Sequence, residues 1–140
     1  MIARLRDESG ITLIEVLATA IIVLVALAGL YIGIIYADKQ VQRNYHDRVA
    51  TLHASGELEW QTYYKKNYKV FSLFSNRPVL LDDTLDDGRV LNGFMSVRVI
   101  PTSETVAATY IPYDILEISV TWTEPGDKKS RKIVVREDFY

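Results

Sequence analysis

Glu15 is a lone carboxylate in an apolar run. In the stretch SGITLIEVLATAIIVLVALAGLYIG, which begins at Ser9, it follows four uncharged residues from Ile11 and precedes an apolar stretch that continues to Tyr36. On insertion scales a charge at the centre of a membrane-spanning helix costs roughly 2.5 to 3.5 kcal/mol, so such a carboxylate needs a neutralising partner and is a candidate functional group. The other chemistry-bearing residues form weaker patterns. His46 and His53 are seven apart and roughly on one helical face, but the sequence puts no third ligand or catalytic carboxylate beside them, and both are expected at the surface. LLDDTLDDGRV carries Asp82, Asp83, Asp86 and Asp87 before Gly88. Its spacing fails the calcium-loop pattern, because Thr84 takes a ligand slot and Asp87 displaces the glycine, so a solvated turn is expected. WQTYYKKNYK interleaves Trp60, Tyr63, Tyr64 and Tyr68 with Lys65, Lys66 and Lys69, a pattern that could stack on and neutralise single-stranded nucleic acid. The simpler reading puts the aromatics on a core stripe and the lysines at a helix C-terminus, where the dipole favours cations. No glycine-rich phosphate loop follows a strand and no serine or threonine sits in a nucleophile motif, so neither an enzyme nor a cofactor is expected.

Length and composition narrow the classes further. The chain has 140 residues, 16 basic and 18 acidic, which leaves room for one domain of ordinary size beside a long apolar segment. A net charge near zero gives no global field that argues for nucleic acid as the main partner. Cysteine is absent, which removes disulfides, thiolate metal sites and cysteine nucleophiles together.

The elements that must position these residues follow from periodicity. Residues 1–10 are short and polar, with Arg4 and Arg6 against Asp7 and Glu8. A secretory signal puts its small-residue cleavage site after the apolar region, whereas Gly10 stands before it. From Ile11 to Tyr36 a helix would reach ~39 Å, enough to cross ~30 Å of hydrocarbon with some tilt. Arg4 and Arg6 favour a cytoplasmic N-terminus, a bias that Lys39 and Arg43 weaken. Val41, Tyr45, Val49, Leu52, Gly56, Trp60 and Tyr63 then recur at spacings of three and four, the stripe of an amphipathic helix running to about Lys66. A break at Gly56 is the alternative; a continuous helix would use that glycine for the close approach of another backbone. Residues 67–93, with Pro78, the aspartates and Gly88, read as a long connection. FMSVRVI from Phe94 and ILEISVTWT alternate as half-buried strands, the second with Leu116, Ile118, Val120 and Trp122 on one face. Pro125 and Gly126 suit the centre of a type II turn, and RKIVVRED from Arg131 returns as the next strand. The expected fold is α+β: a long N-terminal helix, membrane-spanning over 11–37 and amphipathic over 38–66, covering a small antiparallel meander over 94–140.

The run G-ITLIEVL from Gly10 to Leu17, ahead of an unbroken apolar helix, resembles the N-terminus of type IV pilins and of type II secretion pseudopilins. A short basic leader, glycine, T-L-I-E, a single carboxylate and a span occur together and in order. The likeness covers about the first 37 residues closely, and a helix followed by an antiparallel meander agrees with it in outline. It implies cleavage by a prepilin peptidase between Gly10 and Ile11, N-methylation of the new amine on Ile11, and pairing of Glu15 with that amine on a neighbouring subunit. Pairing of Glu15 within its own chain before assembly stays open. The implied protein is a minor pilin or pseudopilin, single-pass in a bacterial inner membrane, with its N-terminus cytoplasmic and its soluble domain extracytoplasmic. Its partners would be the peptidase, other subunits, an ATP-driven inner-membrane assembly platform, and lipid before assembly. A pilus-associated binding module for adhesion or DNA uptake is the alternative. Two positions depart from the pattern: Ile11 replaces the phenylalanine common in major pilins, and Ile32 stands where many pilins have a proline. Gly29 and Gly33 flank Ile32 and would either loosen the helix there or form a small-xxx-small contact face between helices.

Overall fold

The computed structural model describes residues 12–85, 88–106 and 109–140. Helix α1 (Leu13–Tyr68) is followed by four strands, β1 (Phe74–Asp82), β2 (Leu91–Val106), β3 (Thr109–Thr123) and β4 (Ser130–Phe139). Every neighbouring pair is antiparallel and the sheet order is β1-β2-β3-β4, so the expected α+β arrangement of a long helix on an antiparallel meander is present. Contacts divide the chain into a unit ending at Val41 and a second unit, Gln42–Tyr140, and α1 contributes to both.

Within the first unit α1 is unbroken and exposed at every described residue but Gln40. Thr12 caps it: the Glu15 amide lies 3.0 Å from Thr12 O and 3.3 Å from Thr12 Oγ1, satisfying donors that a helix start otherwise leaves free. Helix α1 also runs through Gly56 without a break. It ends where Lys69 takes a left-handed conformation (φ 63°) and returns its N–H to Lys65 O at 2.9 Å.

In the second unit the core lies between α1 and one face of the sheet. It comprises Ala50 and Ala54 from the helix with Val79, Leu81, Leu91, Met95, Val97, Leu116, Ile118, Val120 and Trp122 from the strands. The alternation read in β2 and β3 is therefore correct. Glu124 O accepts the Asp127 amide at 3.0 Å and Gly126 has φ 82°, as a type II turn centred on Pro125 and Gly126 requires.

Two expectations need correction. Residues 67–93 contain a strand, β1, rather than only a connection. Its Pro78 argues against a central strand but is tolerated because β1 is an edge, and Asn76, with φ 57°, absorbs a register shift between Phe74 and Arg77. The second correction concerns the helix. The buried residues of α1 are His46, Ala50, Ala54, Glu57 and Gln61, whereas Val41, Tyr45, Leu52, Trp60 and Tyr63 of the apolar stripe are more than half exposed. Small side chains let the helix come close to the sheet, and aromatic ones in their place would hold it away.

One glycine is demanded by packing. A Cβ on Gly93 would meet Leu81 Cδ1 and Val120 Cγ1, each at 3.1 Å. The helix assignment has a direct test: Ile118→Ala, at a residue with no exposed surface, should cost about 2 to 5 kcal/mol, whereas Leu52→Ala should change stability by no more than about 0.5 kcal/mol. Denaturant unfolding of the two variants reads both, and a large loss at Leu52 would restore the apolar stripe to the core.

Candidate functional site

The first turn of α1 presents Glu15, an exposed carboxylate that no cation among the described residues meets. Thr12 and Glu15 also stand in the T-x-x-E relation of a capping box, of which the structure shows the threonine half, Thr12 Oγ1 to the Glu15 amide. One turn on, the Thr19 hydroxyl bonds back to Glu15 O at 3.0 Å and Val16 O at 2.9 Å. A hydroxyl that satisfies itself within its own helix can lie in lipid at little cost. The helix carries a long apolar stretch, none of it buried, and is long and apolar enough to cross a membrane. Gly10 and Ile11 lie outside the described residues. At Gly29, Gly33 and Gly56 an added Cβ would meet nothing within 4 Å. Among the described residues no backbone uses the close approach that Gly56 was expected to permit.

The second unit contains a polar cluster that the sequence reading missed. His46 is 2% exposed, which corrects its expected surface position. Its Nδ1 lies 2.8 Å from Glu124 Oε2 and its Nε2 lies 3.0 Å from Asp82 Oδ2. Both N–O lines need a proton, so the ring donates to both carboxylates only when each nitrogen carries one. Glu124 Oε1 accepts the Trp122 indole N–H at 2.7 Å, and Asp82 Oδ1 accepts the Thr84 amide and hydroxyl at 2.8 and 2.7 Å. The Thr84 amide and hydroxyl, aided by His46, hold the Asp82 carboxyl below the usual range. With both ring nitrogens occupied, His46 works as a fastener between α1, the end of β1 and the turn after β3. His53 is exposed as expected, and its Nε2 bonds Leu80 O at 2.9 Å.

Further polar contacts seat the same helix face. Arg43 Nη2 donates to both Asp127 carboxylate oxygens, at 2.8 and 3.0 Å, and Arg131 grips Asp47 with Nη2 at 2.5 and 2.8 Å. The buried Glu57 takes Arg77, and Gln61 clamps Ser72 through both its backbone groups, at 2.7 and 2.8 Å. The sequence signal was faint: His46, Ala50, Ala54, Glu57 and Gln61 do recur at spacings of three and four, but the row mixes small and polar residues and does not read as a core face.

Other candidate residues are dispersed. Asp82 belongs to the His46 cluster and not to a solvated turn, Asp83 is exposed, and Asp86 and Asp87 lie outside the described residues. No group of three or more metal-binding side chains occurs among the described residues. Trp60, Tyr63 and Tyr68 stand outside the core stripe expected of them and form a run of ring contacts on the helix surface with the half-buried Tyr64. Lys66 and Lys69 are exposed beside them, while Lys65 stacks its ammonium over the Phe71 ring at 4.5 Å. On the opposite sheet face Glu117 is 1% exposed. Burial pushes its carboxyl up, but the Arg136 and Arg98 guanidiniums outweigh burial and hold it below the usual range.

Scans of protein-family models, the curated proteins and the solved structures match nothing. The reading therefore rests on the residues themselves.

Two tests follow from this geometry. His46→Ala should cost about 3 kcal/mol or more, because it strands two nearly buried carboxylates, whereas His53→Ala should cost under about 1.5 kcal/mol; thermal melts compare them. The acid limb has a definite sign. Asp82 and Glu117 have lowered folded pKa values, so their contribution is complete above their unfolded values of roughly 4 and is lost as pH falls through the folded ones. Melting temperature followed from pH 7 downward should therefore fall increasingly below about pH 4, and less steeply in Glu117→Gln than in the parent.

Proposed function

We propose that this chain is a minor pilin or pseudopilin, a structural subunit of a type IV pilus or type II secretion pseudopilus. It is made as a single-pass inner-membrane precursor, with the leader cytoplasmic and the sheet domain outside. A prepilin peptidase cuts between Gly10 and Ile11, the Ile11 amine is methylated, and an assembly platform moves the subunit from lipid into the filament. The observation that carries this reading is Glu15: one carboxylate in the first turn of a long apolar helix, without a cation among the described residues, five positions after the Gly10 that the motif marks for cleavage.

The mechanism follows from electrostatics. Cleavage creates the only positive charge that can stand at the apolar end of the helix, the Ile11 amine. In low dielectric an uncompensated carboxylate is expensive, so Glu15 gains by meeting the amine of a neighbouring subunit, and the pair fixes the axial register between helices. Gly29 and Gly33, open on their Cβ sides, leave room either for another helix to come close or for the helix to loosen.

The first experiment is intact mass and N-terminal sequencing of the protein extracted from cells with and without the peptidase. A chain beginning at Ile11 only when the peptidase is present supports the reading; one beginning at Met1 in both cells ends it. Substitution of Glu15 separates cap from charge. Glu15→Gln keeps the side-chain length and hydrogen bonding that a capping box accepts but loses the charge, and it makes insertion cheaper by roughly 2.5 to 3.5 kcal/mol at most. It should still be cleaved, yet its recovery in sheared filaments should fall about tenfold, equivalent to about 1.4 kcal/mol of lost pairing. Recovery at the parental level would leave Glu15 as a helix cap only.

The exposed aromatic run favours one second reading, a binding module carried on the filament. Trp60, Tyr63 and Tyr68 offer ring faces next to Lys66 and Lys69, the elements of a stacking platform for single-stranded nucleic acid. Retention on single-stranded DNA that falls steeply with salt, and that Trp60→Ala weakens, would support it.

A further inference from the structure

The outward face of the sheet concentrates charge in a way that its fold does not require. Strand register puts Arg98 of β2 and Arg136 of β4 on either side of Glu117 of β3, in one cross-strand row. Arg136 saturates one oxygen, with Nε at 2.7 Å and Nη2 at 2.6 Å from Glu117 Oε2. The other oxygen, Oε1, is buried without an aligned hydrogen bond: Arg98 Nη2 comes within 2.5 Å and Lys132 Nζ within 4.0 Å, as charges only. Three cations thus surround one carboxylate, on a chain whose net charge is −2. Arg98 and Arg136 are each 60% exposed in their side chains and Lys132 is 48% exposed, so all three remain open to solvent.

Next to this row is a depression of about 500 Å³, lined by Ser96, Arg98, Ser119 and Lys132 and flanked by Leu73 and Phe74. Ser96 and Ser119 are direct cross-strand partners and both line the depression. Ser96 Oγ already accepts the Asn76 amide at 3.0 Å, which leaves its own proton free to donate. Two hydroxyl donors between a guanidinium and an ammonium match an oxyanion, since a guanidinium fork pairs with carboxylate or phosphate and a lysine adds a point charge.

We propose that this depression is a binding site for a phosphate- or carboxylate-type oxyanion, held by Arg98 and Lys132 over the Ser96 and Ser119 hydroxyls. Glu117 is the base of the site and not a competitor for the ligand. It neutralises part of the cation row from beneath: Arg136 is held through two nitrogens and Arg98 through Nη2, whereas Lys132 stands 4.0 Å away and is the least engaged of the three. None of the site residues belongs to α1.

The test uses the full-length chain, isotope-labelled, in zwitterionic detergent, titrated with sodium phosphate and separately with sodium acetate at constant ionic strength made up with chloride. The site predicts saturable amide shifts at Ser96, Arg98, Ser119 and Lys132, with Lys132→Gln weakening binding about fivefold to tenfold and melting at the parental temperature. Lys132 is the safer variant because its contact with Glu117 is the longest of the three. Arg98→Gln should weaken binding at least as much. Bicelles with an anionic phospholipid, set against wholly zwitterionic ones, separate the sources: shifts at the same four amides there identify a lipid headgroup, and shifts with soluble phosphate alone identify a free ion. Shifts that rise linearly with no saturation, that chloride reproduces, that spread over the surface lysines, or that Lys132→Gln leaves unchanged would overturn the proposal.

Discussion

Helix α1 reaches the sheet at Ala50 and Ala54, and that close contact sets the terms for the rest of the second unit. Two alanines leave no large side chain between helix and strands, so Met95, Leu116, Ile118 and Val120 can pack up to the helix backbone. Alanine buries little apolar area, however, and by itself fixes neither rotation nor axial position. Polar side chains supply that definition on either side. His46 is fastened to Asp82 and Glu124 one turn before Ala50, and Glu57 and Gln61 hold Arg77 and Ser72 beyond Ala54. Each of these three side chains finds partners, which is the condition under which a polar network specifies a packing instead of weakening it.

This seating decides what the outer surface offers. Because small and polar residues occupy the buried side of the helix, its large apolar side chains, Tyr45, Leu52, Trp60 and Tyr63, are left facing outward. The sheet's other face is equally uncommitted to the core, and there the burial of Glu117 under guanidiniums gathers cations that the core has no use for. An apolar aromatic side and a cationic side are thus consequences of one packing choice.

Legibility in the sequence tracked how far each element follows a single simple pattern. The apolar run, the alternation in β2 and β3 and the Pro125-Gly126 turn each obey one period or one turn rule, and the structure has them. Strand β1 was hidden by Pro78, the aspartates and Gly88, whose turn chemistry outweighs two buried residues, Val79 and Leu81, when only local order is read. The helix face was misread for a different reason. Hydrophobic periodicity assumes that the apolar side is the buried side, and here the bonds made by His46, Glu57 and Gln61 come from residues distant in sequence that no local window contains. Surface position for His46 failed on the same ground, since Asp82 and Glu124 meet it only after the sheet has formed. At the N-terminus the motif was visible, but so was a capping box that shares its threonine and glutamate, and the fold shows the threonine at work in the helix start.

That overlap bears on why a glutamate should stand at this place in an apolar helix. A helix start exposes amide donors and the positive end of a dipole, both of which favour a carboxylate in the first turn. The same carboxylate would be far costlier several turns further in, where no free amides remain and lipid surrounds the helix. Placing Glu15 three residues after its cap therefore limits the cost of having an acid in the apolar segment at all. On the proposed reading it also keeps the charge within reach of the amine that cleavage creates at Ile11. On that reading helix chemistry makes the carboxylate tolerable in a lone subunit, the amine of a neighbour would make it favourable in an assembled one, and the difference would give the step from lipid to filament its direction.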